Sequence, residues 1–473
     1  LLNSLEKNSD APAFLQKLGE NGSYEEISYQ RAVSDMEGLG TALINRNLQD
    51  GRIAVAGNNT YPLQISLLTA ACGPGEAVML NKQLDPEEII RQLNKVNAEV
   101  LIFDEKYTEL FEEIVDSGKT PVKTMIRYGE EDAQRSEHTD TFLSWNALVA
   151  EGKKQAALGD RQYLDAPVLG SDPAAIFFTS GAGGHAKAVE LTHQNLVRNV
   201  IALASLVRYN PEDRVISVIA PNNVYQAAAG VLLPLYRGAA VVNCGGSDYL
   251  ESDLQNSAST VLLLEPVMMN ALFDEIWDHI EGGGGDRRLD AMRKVGKILP
   301  FTRRYVLRPY ESYVREKFGG HLRMMISGGS RARVEVEEFF REMGINVLQA
   351  YGMTECSSVV AATPDSAASV PVESVGHILP GVRVKIVGKG SRGIGELAVK
   401  GASVADGYLD DPEETEAAFT DGWFHTGDMG YIDDDNFVYV VGRKQRLEQQ
   451  AEADRKARQN AEDAIKAARG TAE

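Results

Sequence analysis

Strand-like and helix-like segments alternate over the first third of the chain, and this alternation is the strongest constraint on its fold. The helical patterns lie at 29–45, at 61–71 and after Asp85, and the apolar strand patterns at 52–56, 76–80 and 99–103. Asp85 suits an N-cap and Pro86 suits the first position of a helix. Alternation of this kind predicts a parallel sheet flanked by helices. We therefore predict a first α/β subdomain over residues 1–165.

A second α/β subdomain is predicted over residues 166–375, after a polar and weakly patterned connection at 127–172. Its sheet is expected to begin with the apolar strand at 174–178. Further strands are predicted at 215–219, 240–242 and 261–264, and helices at 193–207, 224–236 and 267–280. Thr192 is the expected N-cap of the first of these helices.

The pattern changes after Gly381 to short alternating strands separated by glycine turns, at 383–387 and 396–400. Such strands are typical of antiparallel sheets, so residues 376–444 are predicted to form a small β-barrel-like subdomain. Residues 445–473 favour a helix by propensity but lack an apolar stripe, which predicts a charged, solvated helical tail. The predicted fold class is α/β, with two parallel-type sheets flanked by helices, the small β-unit and the helical tail.

The charge of the chain restricts the partners that it can bind. A formal net charge of -20 over 473 residues argues against nucleic-acid binding, because phosphates would be repelled. No apolar run approaches the length of a membrane span, so membrane contact is expected only at the periphery. The basic segment at 287–308 favours a solvated helix face, with an anionic substrate tail or a membrane surface as the alternatives. No feature of the sequence indicates an oligomeric state.

The cysteines indicate a reducing compartment, for which the cytoplasm is the expected location. Cys72, Cys244 and Cys356 are widely spaced and form no metal-binding pattern. A buried or idle thiol is the interpretation that this pattern favours. Because Cys356 directly follows Glu355, a reactive thiol is the alternative at that position.

Two predicted strands end close together in sequence, each followed by small or polar residues. One runs into Gly328, Gly329 and Ser330, and the other, at 345–348, is followed by the pentapeptide Tyr-Gly-Met-Thr-Glu at 351–355. Ligands bind at the carboxyl ends of strands in an open parallel sheet, and glycine lets them approach the backbone. A threonine hydroxyl beside a carboxylate, as in Thr354 and Glu355, is a suitable pair of oxygen ligands for Mg²⁺. An ordinary loop with a solvated Glu355 is the alternative.

A glycine-rich loop follows the predicted strand at 174–178 and ends at Lys187. Backbone N–H groups and an ammonium group are what a phosphate-holding loop needs. The spacing differs from that of the ordinary nucleotide P-loop, and a glycine-rich turn with a solvent-facing lysine is the alternative. Further along, Asp428 follows a glycine, where its carboxylate could accept hydrogen bonds from a ribose diol.

These pieces together resemble the adenylate-forming enzymes, the superfamily of acyl-CoA synthetases, luciferases and peptide-synthetase adenylation domains. Within it, the chain is most similar to bacterial long-chain fatty acid–CoA ligases, from about residue 25 to Lys444. The resemblance rests on the loop at 179–187, the pentapeptide at 351–355, and the segments 422–428 and 442–444, which follow the family's order.

The resemblance implies a reaction and a set of site residues. A small-molecule carboxylic acid, expected to be a long-chain fatty acid, would attack ATP to give an acyl-adenylate, and its acyl group would then be transferred to coenzyme A. The implied catalytic residues are Lys187, Thr354 and Glu355, and Mg²⁺ would be held by Thr179 and Glu355. The implied nucleotide-binding residues are Thr179, Ser180, Gly181, Gly184, Gly328, Gly329, Ser330, Tyr351, Gly352, Asp428 and Arg443.

The chain departs from the family pattern in three places. Ala182 and Gly183 stand where the family's phosphate loop has hydroxyl residues, and Asn222 and Asn223 stand where long-chain ligases have a histidine pair. The segment after Arg443 resembles no part of the family's mobile C-terminal domain, so we expect either a truncated chain, as the start at a leucine also suggests, or a protein without that domain's chemistry.

Two functional hypotheses remain, together with one that is disfavoured. The first is an ATP-dependent acid–CoA ligase or its large domain, which the retained Lys187, Glu355 and Asp428 favour. The second is a catalytically impaired relative that binds nucleotide or acyl ligand without full turnover, which the substitutions at 182, 183, 222 and 223 favour. An oxidoreductase with a dinucleotide site is disfavoured because no G-x-G-x-x-G follows a predicted strand.

Overall fold

The computed structural model describes residues 7–19, 22–49, 51–73, 75–129, 142–179, 186–282, 303–329, 332–365, 370–371, 373–390, 393–447 and 449. These residues form three β-sheets with helices packed against two of them. The predicted fold class is therefore confirmed. Among these residues, no helix combines the length and the apolar character that crossing a membrane requires.

The first sheet has seven strands and carries the alternating pattern of the N-terminal third. In spatial order its strands are β7 (Phe142–Ser144), β6 (Thr124–Tyr128), β5 (Val100–Asp104), β3 (Arg52–Ala56), β4 (Glu76–Met79), β8 (Pro173–Thr179) and β9 (Lys187–Thr192). All neighbouring pairs are parallel except β8 and β9, which form an antiparallel pair at one edge.

The second sheet has nine strands and is parallel at its centre. In spatial order its strands are β16 (His377–Ile378), β15 (Ser358–Ala362), β14 (Asn346–Met353), β13 (Met324–Gly328), β12 (Val261–Leu264), β10 (Arg214–Ser217), β11 (Ala240–Asn243), β1 (Pro12–Leu18) and β2 (Ser23–Ser28). The pairs β1–β2, β14–β15 and β15–β16 are antiparallel, so both large sheets are mixed rather than purely parallel.

The third sheet is small and antiparallel, in agreement with the short alternating strands of the sequence. It contains β17 (Val382–Val387), β18 (Gly395–Gly401), β19 (Phe419–Thr420), β20 (Trp423–Ile432) and β21 (Val438–Arg443). β18 pairs with both β17 and β20, and β21 pairs with β20. Most of the predicted tail lies outside the described residues.

The two large sheets exchange strands, and here one prediction is wrong. The strand at 174–178 does not begin the second sheet, because β8 pairs in parallel with β4 of the first sheet, with Ile176 opposite Val78. Conversely, β1 joins the second sheet next to β11, with Phe14 opposite Val241. The physical reason is that a fully buried apolar strand has the same pattern in either sheet.

The helices follow the predicted positions closely where local signals are strong. They are α1 (Tyr29–Asn45), α2 (Tyr61–Cys72), α3 (Pro86–Val96), α4 (Thr108–Asp116), α5 (Trp145–Ala157), α6 (His193–Leu206), α7 (Leu233–Arg237), α8 (Leu250–Ser257), α9 (Pro266–Gly282), α10 (Arg303–Lys317), α11 (Val334–Glu342) and α12 (Pro412–Ala418). A π-helical segment, Gln226–Leu232, precedes α7 within the helix predicted at 224–236. Most of the basic segment at 287–308 lies outside the described residues.

The polar and weakly patterned connection at 127–172 contains regular secondary structure that was not predicted. It contains β7 and α5, and α5 buries Trp145, Leu148 and Val149. The approach of α5 to α1 is close, because a Cβ atom on Gly152 would lie 1.8 Å from the carbonyl oxygen of Gly38. Glycine at the contact thus lets the two helices pack tightly, and a search for apolar periodicity does not detect this signal.

One hydrophobic core joins the two large sheets. Phe14 of the second sheet packs against Tyr61 of α2 with ring centroids 5.2 Å apart, and the same core contains Val55 and Phe177 of the first sheet. The two large sheets are therefore packed together through a shared core.

Candidate functional site

A cavity of about 1120 Å³ lies where the second and third sheets meet the β8–β9 hairpin. β13 and β14 are parallel neighbours with Gly328 opposite Ala350, so their carboxyl ends open into it side by side. Of the residues predicted for the site, those lining the cavity are Thr179, Lys187, Gly328, Gly329, Tyr351, Gly352, Thr354, Glu355 and Arg443. The structure thus brings together segments from four separate parts of the chain.

The two ends of the predicted phosphate loop lie at the cavity wall. Thr179 ends β8, Lys187 begins β9, and the two residues pair directly across the antiparallel ladder. Residues 180–185 lie outside the described residues, so the predictions for Ser180, Gly181 and Gly184 and the departures at Ala182 and Gly183 are not tested.

Lys187 is held by two side chains from the third sheet's region. Its ammonium forms an ion pair with the carboxylate of Glu414 on α12, and its nitrogen lies 4.5 Å from the ring centroid of Tyr408. A cation over an aromatic face is attracted by the electron density of the ring. Lys187 is therefore not the solvent-facing lysine of the alternative interpretation.

Thr354 and Glu355 form a 3₁₀ turn, Thr354–Cys356, directly after β14. Glu355 is only 8% exposed, so it is not the solvated loop residue of the alternative. The hydroxyl of Tyr408 donates a hydrogen bond of 2.8 Å to Oε1 of Glu355, and the amide of Ala405 donates one of 2.8 Å to its carbonyl. The carboxylate is thus fixed in the cavity wall by the segment 405–409.

The next residue, Cys356, excludes the alternative of a reactive thiol. Cys356 is completely buried, and burial raises the pKa of its thiol well above the ordinary value. A reactive cysteine needs a thiolate and access to its target, and Cys356 has neither.

The surroundings of Glu355 suit Mg²⁺ only if a ligand supplies further oxygens. Among the described residues, no group of three or more His, Cys, Asp and Glu side chains could hold a metal ion by itself. Mg²⁺ is commonly bound by one or two carboxylates together with substrate phosphates and water. A single buried carboxylate beside the lysine of a predicted phosphate loop fits that pattern.

Three glycines at the strand ends are required either by a close approach or by a positive φ. A Cβ atom on Gly328 would lie 2.9 Å from the ring of Tyr225, and Gly329 has a φ of +99°, in the region that side chains rarely adopt. Gly352 is tighter still, since a Cβ atom there would lie 1.6 Å from the carbonyl oxygen of Ser358. These positions therefore require glycine. Ser330 lies outside the described residues.

Asp428 sits in a bulge of β20 rather than after the simple glycine turn that the sequence suggested. His425 pairs with Ala398 and Met429 with Glu396, so three residues of β20 face the single Leu397. Gly427, at a φ of +71°, permits this bulge. The bulge turns the carboxylate of Asp428 towards Tyr351 and Arg443.

The carboxylate of Asp428 is shared between these two groups. The hydroxyl of Tyr351 donates a hydrogen bond of 2.8 Å to Oδ2, and Nε of Arg443 lies 3.1 Å from Oδ1. Burial raises the pKa of Asp428, although Arg443 and Tyr351 act in the opposite direction. Each carboxylate oxygen retains acceptor capacity, but Asp428 itself is not among the residues that line the cavity.

The carboxyl end of β10 supplies polar groups to the same cavity. Asn222 and Asn223 both line it, and Oδ1 of Asn223 accepts a hydrogen bond of 2.9 Å from the amide of Tyr225. These two residues are therefore part of the cavity wall. They are also the positions at which the chain departs from the long-chain ligase pattern.

Sequence reasoning missed Tyr408 and Glu414, which contact the two central charged groups of the cavity. A helix start is readable at Asp411 and Pro412, and α12 does begin there, with the carboxylate of Asp411 accepting a hydrogen bond from the amide of Glu414. That signal locates a helix but does not connect it to the cavity.

Comparisons with known proteins give consistent matches. The family model described as "AMP-binding enzyme" matches residues 1–409. Long-chain-fatty-acid–CoA ligase 5 of Rattus norvegicus is 27% identical over an alignment of 464 residues that covers 90% of this chain and 65% of the rat protein. The chain thus spans slightly less than two thirds of the length of that curated relative.

Two solved structures show the same fold. The anthranilate CoA ligase AuaEII in complex with anthranoyl-AMP matches with a TM-score of 0.72 and 18% identity, over 93% of this chain and 77% of that one. ATP-bound MatB from Rhodopseudomonas palustris matches with a TM-score of 0.68 and 23% identity, also over 93% of this chain and 77% of that one.

Proposed function

The chain belongs to the AMP-binding enzyme family, and from that premise we propose that it acts as an ATP-dependent acid–CoA ligase. In the proposed reaction, a carboxylate oxygen of a small-molecule acid attacks the α-phosphorus of ATP, and the bond to the departing pyrophosphate breaks. The thiol of coenzyme A then attacks the acyl carbon, loses its proton, and AMP leaves. Both steps conserve atoms and need no oxidant or reductant.

The observation that carries this proposal is the meeting of four predicted segments in one cavity. Lys187, Glu355, Gly328 and Arg443 are far apart in sequence, yet all line the same space of about 1120 Å³. That volume suits a nucleotide together with part of a second substrate. Phosphoryl chemistry depends mainly on positioning and charge neutralisation, and the cavity offers groups for both.

Each group has a proposed role that its surroundings support. Lys187 would bind the phosphates together with the loop that begins at Thr179, and Thr354 would donate its hydroxyl to the α-phosphate. The flat edge at Gly328 and Gly329 would accept the adenine beside Tyr351. These roles extend to Ser180, Gly181, Gly184, Ser330 and Gly352 as nucleotide-binding residues.

The ribose would be bound at the bulge of β20. Asp428 is buried beside the cavity and is oriented by Tyr351 and Arg443. A carboxylate held in this way loses little rotational freedom when it accepts hydrogen bonds from a diol. We propose Asp428 and Arg443 as the ribose-binding pair.

Glu355 would hold Mg²⁺, with Thr179 as a further oxygen ligand. When bound, the ion would neutralise part of the negative charge of the phosphates. The chain's own contribution is to keep the Glu355 carboxylate in place, through the hydroxyl of Tyr408 at 2.8 Å.

The acid is proposed to be a long-chain fatty acid, and coenzyme A the acceptor. The support is the name of the rat relative, a long-chain-fatty-acid–CoA ligase. The partners are thus small molecules, with membrane contact only at the periphery, and the cytoplasm is the proposed location.

A second candidate is a relative that binds nucleotide without full turnover. The specific observation in its favour is the ion pair of Lys187 with Glu414, which occupies the ammonium group that phosphate would need.

Calorimetric titration of magnesium-ATP separates these possibilities from a chain that binds no nucleotide. Wild type is expected to bind, and Asp428→Ala is expected to lose most of that affinity. A screen for pyrophosphate release across carboxylic acids of different chain length follows. Binding without release would favour the second candidate, and absence of binding would contradict both.

A further inference from the structure

A short segment, residues 405–409, connects the two charged groups of the cavity. At one end, the amide of Ala405 donates a hydrogen bond of 2.8 Å to the carbonyl of Glu355. At the other, Tyr408 forms a β-bridge with Val189, and the amide of Leu409 donates a hydrogen bond of 2.9 Å to the carbonyl of Ala188. The segment is therefore fixed both to Glu355 and to β9, next to Lys187.

The side chain of Tyr408 makes a second connection along the same line. Its hydroxyl donates a hydrogen bond to Glu355, and its ring lies under the ammonium of Lys187. The phenolic hydroxyl of a tyrosine keeps its proton at neutral pH, so it can serve as the donor in this hydrogen bond. One residue thus contacts both the proposed metal ligand and the proposed phosphate ligand.

The backbone of Tyr408 is in turn fixed to α12, which carries Glu414. The hydroxyl of Thr415 accepts a hydrogen bond of 2.9 Å from the amide of Tyr408 and donates one of 2.7 Å to the carbonyl of Asp411. Glu414, half-exposed at the cavity, pairs with Lys187. Phosphate oxygens and the Glu414 carboxylate would therefore compete for the same ammonium group.

Resting on the proposed function, we propose that Tyr408 and Glu414 form a positioning pair for the nucleotide. Tyr408 orients the carboxylate of Glu355 for Mg²⁺ and presents the ammonium of Lys187. Glu414 is the counter-ion of Lys187 that the phosphates displace when ATP binds. Neither residue touches the reacting atoms.

The size of each effect follows from the exposure of the contact. The side chain of Glu414 is 52% exposed and that of Lys187 is 19% exposed, so their ion pair is largely a surface pair, and its loss should tighten ATP binding only about two- to five-fold. Groups that orient a metal ligand matter more, and their removal typically weakens metal affinity by about ten-fold or more.

The test measures ATP binding by calorimetry, first in EDTA and then across a series of Mg²⁺ concentrations. The variants are Glu414→Gln and Tyr408→Phe. Glu413→Gln is the matched control for charge, because Glu413 is also in the first turn of α12. Tyr431→Phe is the control for a lost hydroxyl, since Tyr431 lies in β20 and stacks on Tyr439 away from the cavity lining.

Glu414→Gln is expected to bind metal-free ATP about two- to five-fold more tightly than wild type, with Glu413→Gln unchanged. Tyr408→Phe is expected to bind metal-free ATP like wild type but to need about ten-fold more Mg²⁺ for the half-maximal gain in affinity. If Tyr408 has a merely structural role, the variant should instead change ATP affinity equally with and without Mg²⁺. Its urea unfolding midpoint should then also be lower than that of wild type.

Three results would overturn the inference. If wild type binds ATP but Tyr408→Phe has the wild-type Mg²⁺ dependence, the positioning role is wrong while the proposed function stands. If Glu414→Gln behaves like Glu413→Gln, the counter-ion role is wrong, and this arm holds even if Tyr408→Phe fails to fold. If wild type binds no ATP in either condition, the proposed function fails first and the inference fails with it.

Discussion

The hydroxyl of Tyr351, at the end of β14, lies 2.8 Å from Oδ2 of Asp428 in the bulge of β20. This contact joins the second sheet to the third across the cavity, and it fixes the one buried carboxylate proposed to bind ribose. The first prediction starts from this contact.

Asp428→Asn should weaken ATP binding and remove the preference for ATP over 2′-deoxy-ATP. A hydrogen bond to a charged group contributes about 1.5–3 kcal/mol, so wild type should bind 2′-deoxy-ATP about ten- to a hundred-fold more weakly than ATP. The variant should bind both nucleotides with similar, reduced affinity in calorimetric titrations. Fully additive losses from the two changes would contradict the ribose contact.

Glu355→Gln should abolish the effect of Mg²⁺ on ATP binding. The amide keeps the shape of the side chain but loses the charge that attracts the ion, so metal-free affinity should change little. Glu338→Gln, at an exposed position of α11 outside the cavity lining, provides the control. Unchanged Mg²⁺ dependence in the Glu355 variant would show that the ion is held elsewhere.

Hydroxyl side chains in the phosphate loop should tighten ATP binding. Ala182→Ser and Gly183→Ser each restore a donor that the family pattern has, and together they should improve affinity about ten-fold if both reach phosphate oxygens. Ser180→Ala should act in the opposite direction. The measurement is the dissociation constant for magnesium-ATP. If the serines do not lower this constant, the assignment of the loop to phosphate binding is contradicted.

Glu76→Gln should remove a pH dependence of stability. Glu76 is buried in β4 beside Arg52, whose Nε lies 2.8 Å away, and Arg52 also pairs with Glu190 at 3.0 Å. Burial raises the pKa of Glu76 to about 7. Since the folded state then binds the proton more tightly than the unfolded state, stability from this group is present at low pH and is lost as pH rises from the ordinary carboxyl range through about 7.

Urea unfolding at about pH 5.5 and about pH 8 measures this effect. Between the two conditions, wild type should lose on the order of 2 kcal/mol of unfolding free energy relative to Glu76→Gln. Parallel pH profiles for the two proteins would show that Arg52 keeps Glu76 ionised throughout.

Gly352→Ala should destabilise the fold at the cavity wall. A Cβ atom there would lie 1.6 Å from the backbone oxygen of Ser358 in β15, so the β14–β15 pair would have to shift, at a cost of about 3 kcal/mol. Gly170→Ala is the control, since its Cβ atom would meet nothing closer than 3.6 Å. Equal unfolding free energies for the two variants would contradict this reasoning.

The sequence predicts elements well where the signal is local. The strand Val261–Leu264 and the helix Tyr29–Asn45 have the predicted bounds, because an apolar run, or a serine N-cap before an amphipathic stretch, lies entirely within the element. The neighbours of a strand within a sheet cannot be predicted from such local signals. β8 is apolar on both faces, and such a pattern does not determine whether β4 or a strand of the other sheet lies beside it.

The same distinction applies to the cavity. Glu355 and Gly328 are predictable because they directly follow apolar strands, and the ends of parallel strands are where ligands bind. Tyr408 and Glu414 follow no such strand. Tyr408 is one of 17 tyrosines, and only the three-dimensional path of the 405–409 segment selects it.

The exchange of strands between the sheets has a consequence for how the chain is made. β1 can complete its pairing only with β11, where Phe14 lies opposite Val241. During synthesis, the edge of β1 that faces away from β2 therefore remains unpaired until residues 240–243 have emerged from the ribosome. Pairing over such a sequence distance raises the contact order and slows folding, and an exposed strand edge invites association with other chains. The arrangement that fixes the cavity walls thus leaves the nascent chain with an unpaired strand edge until β11 has been made.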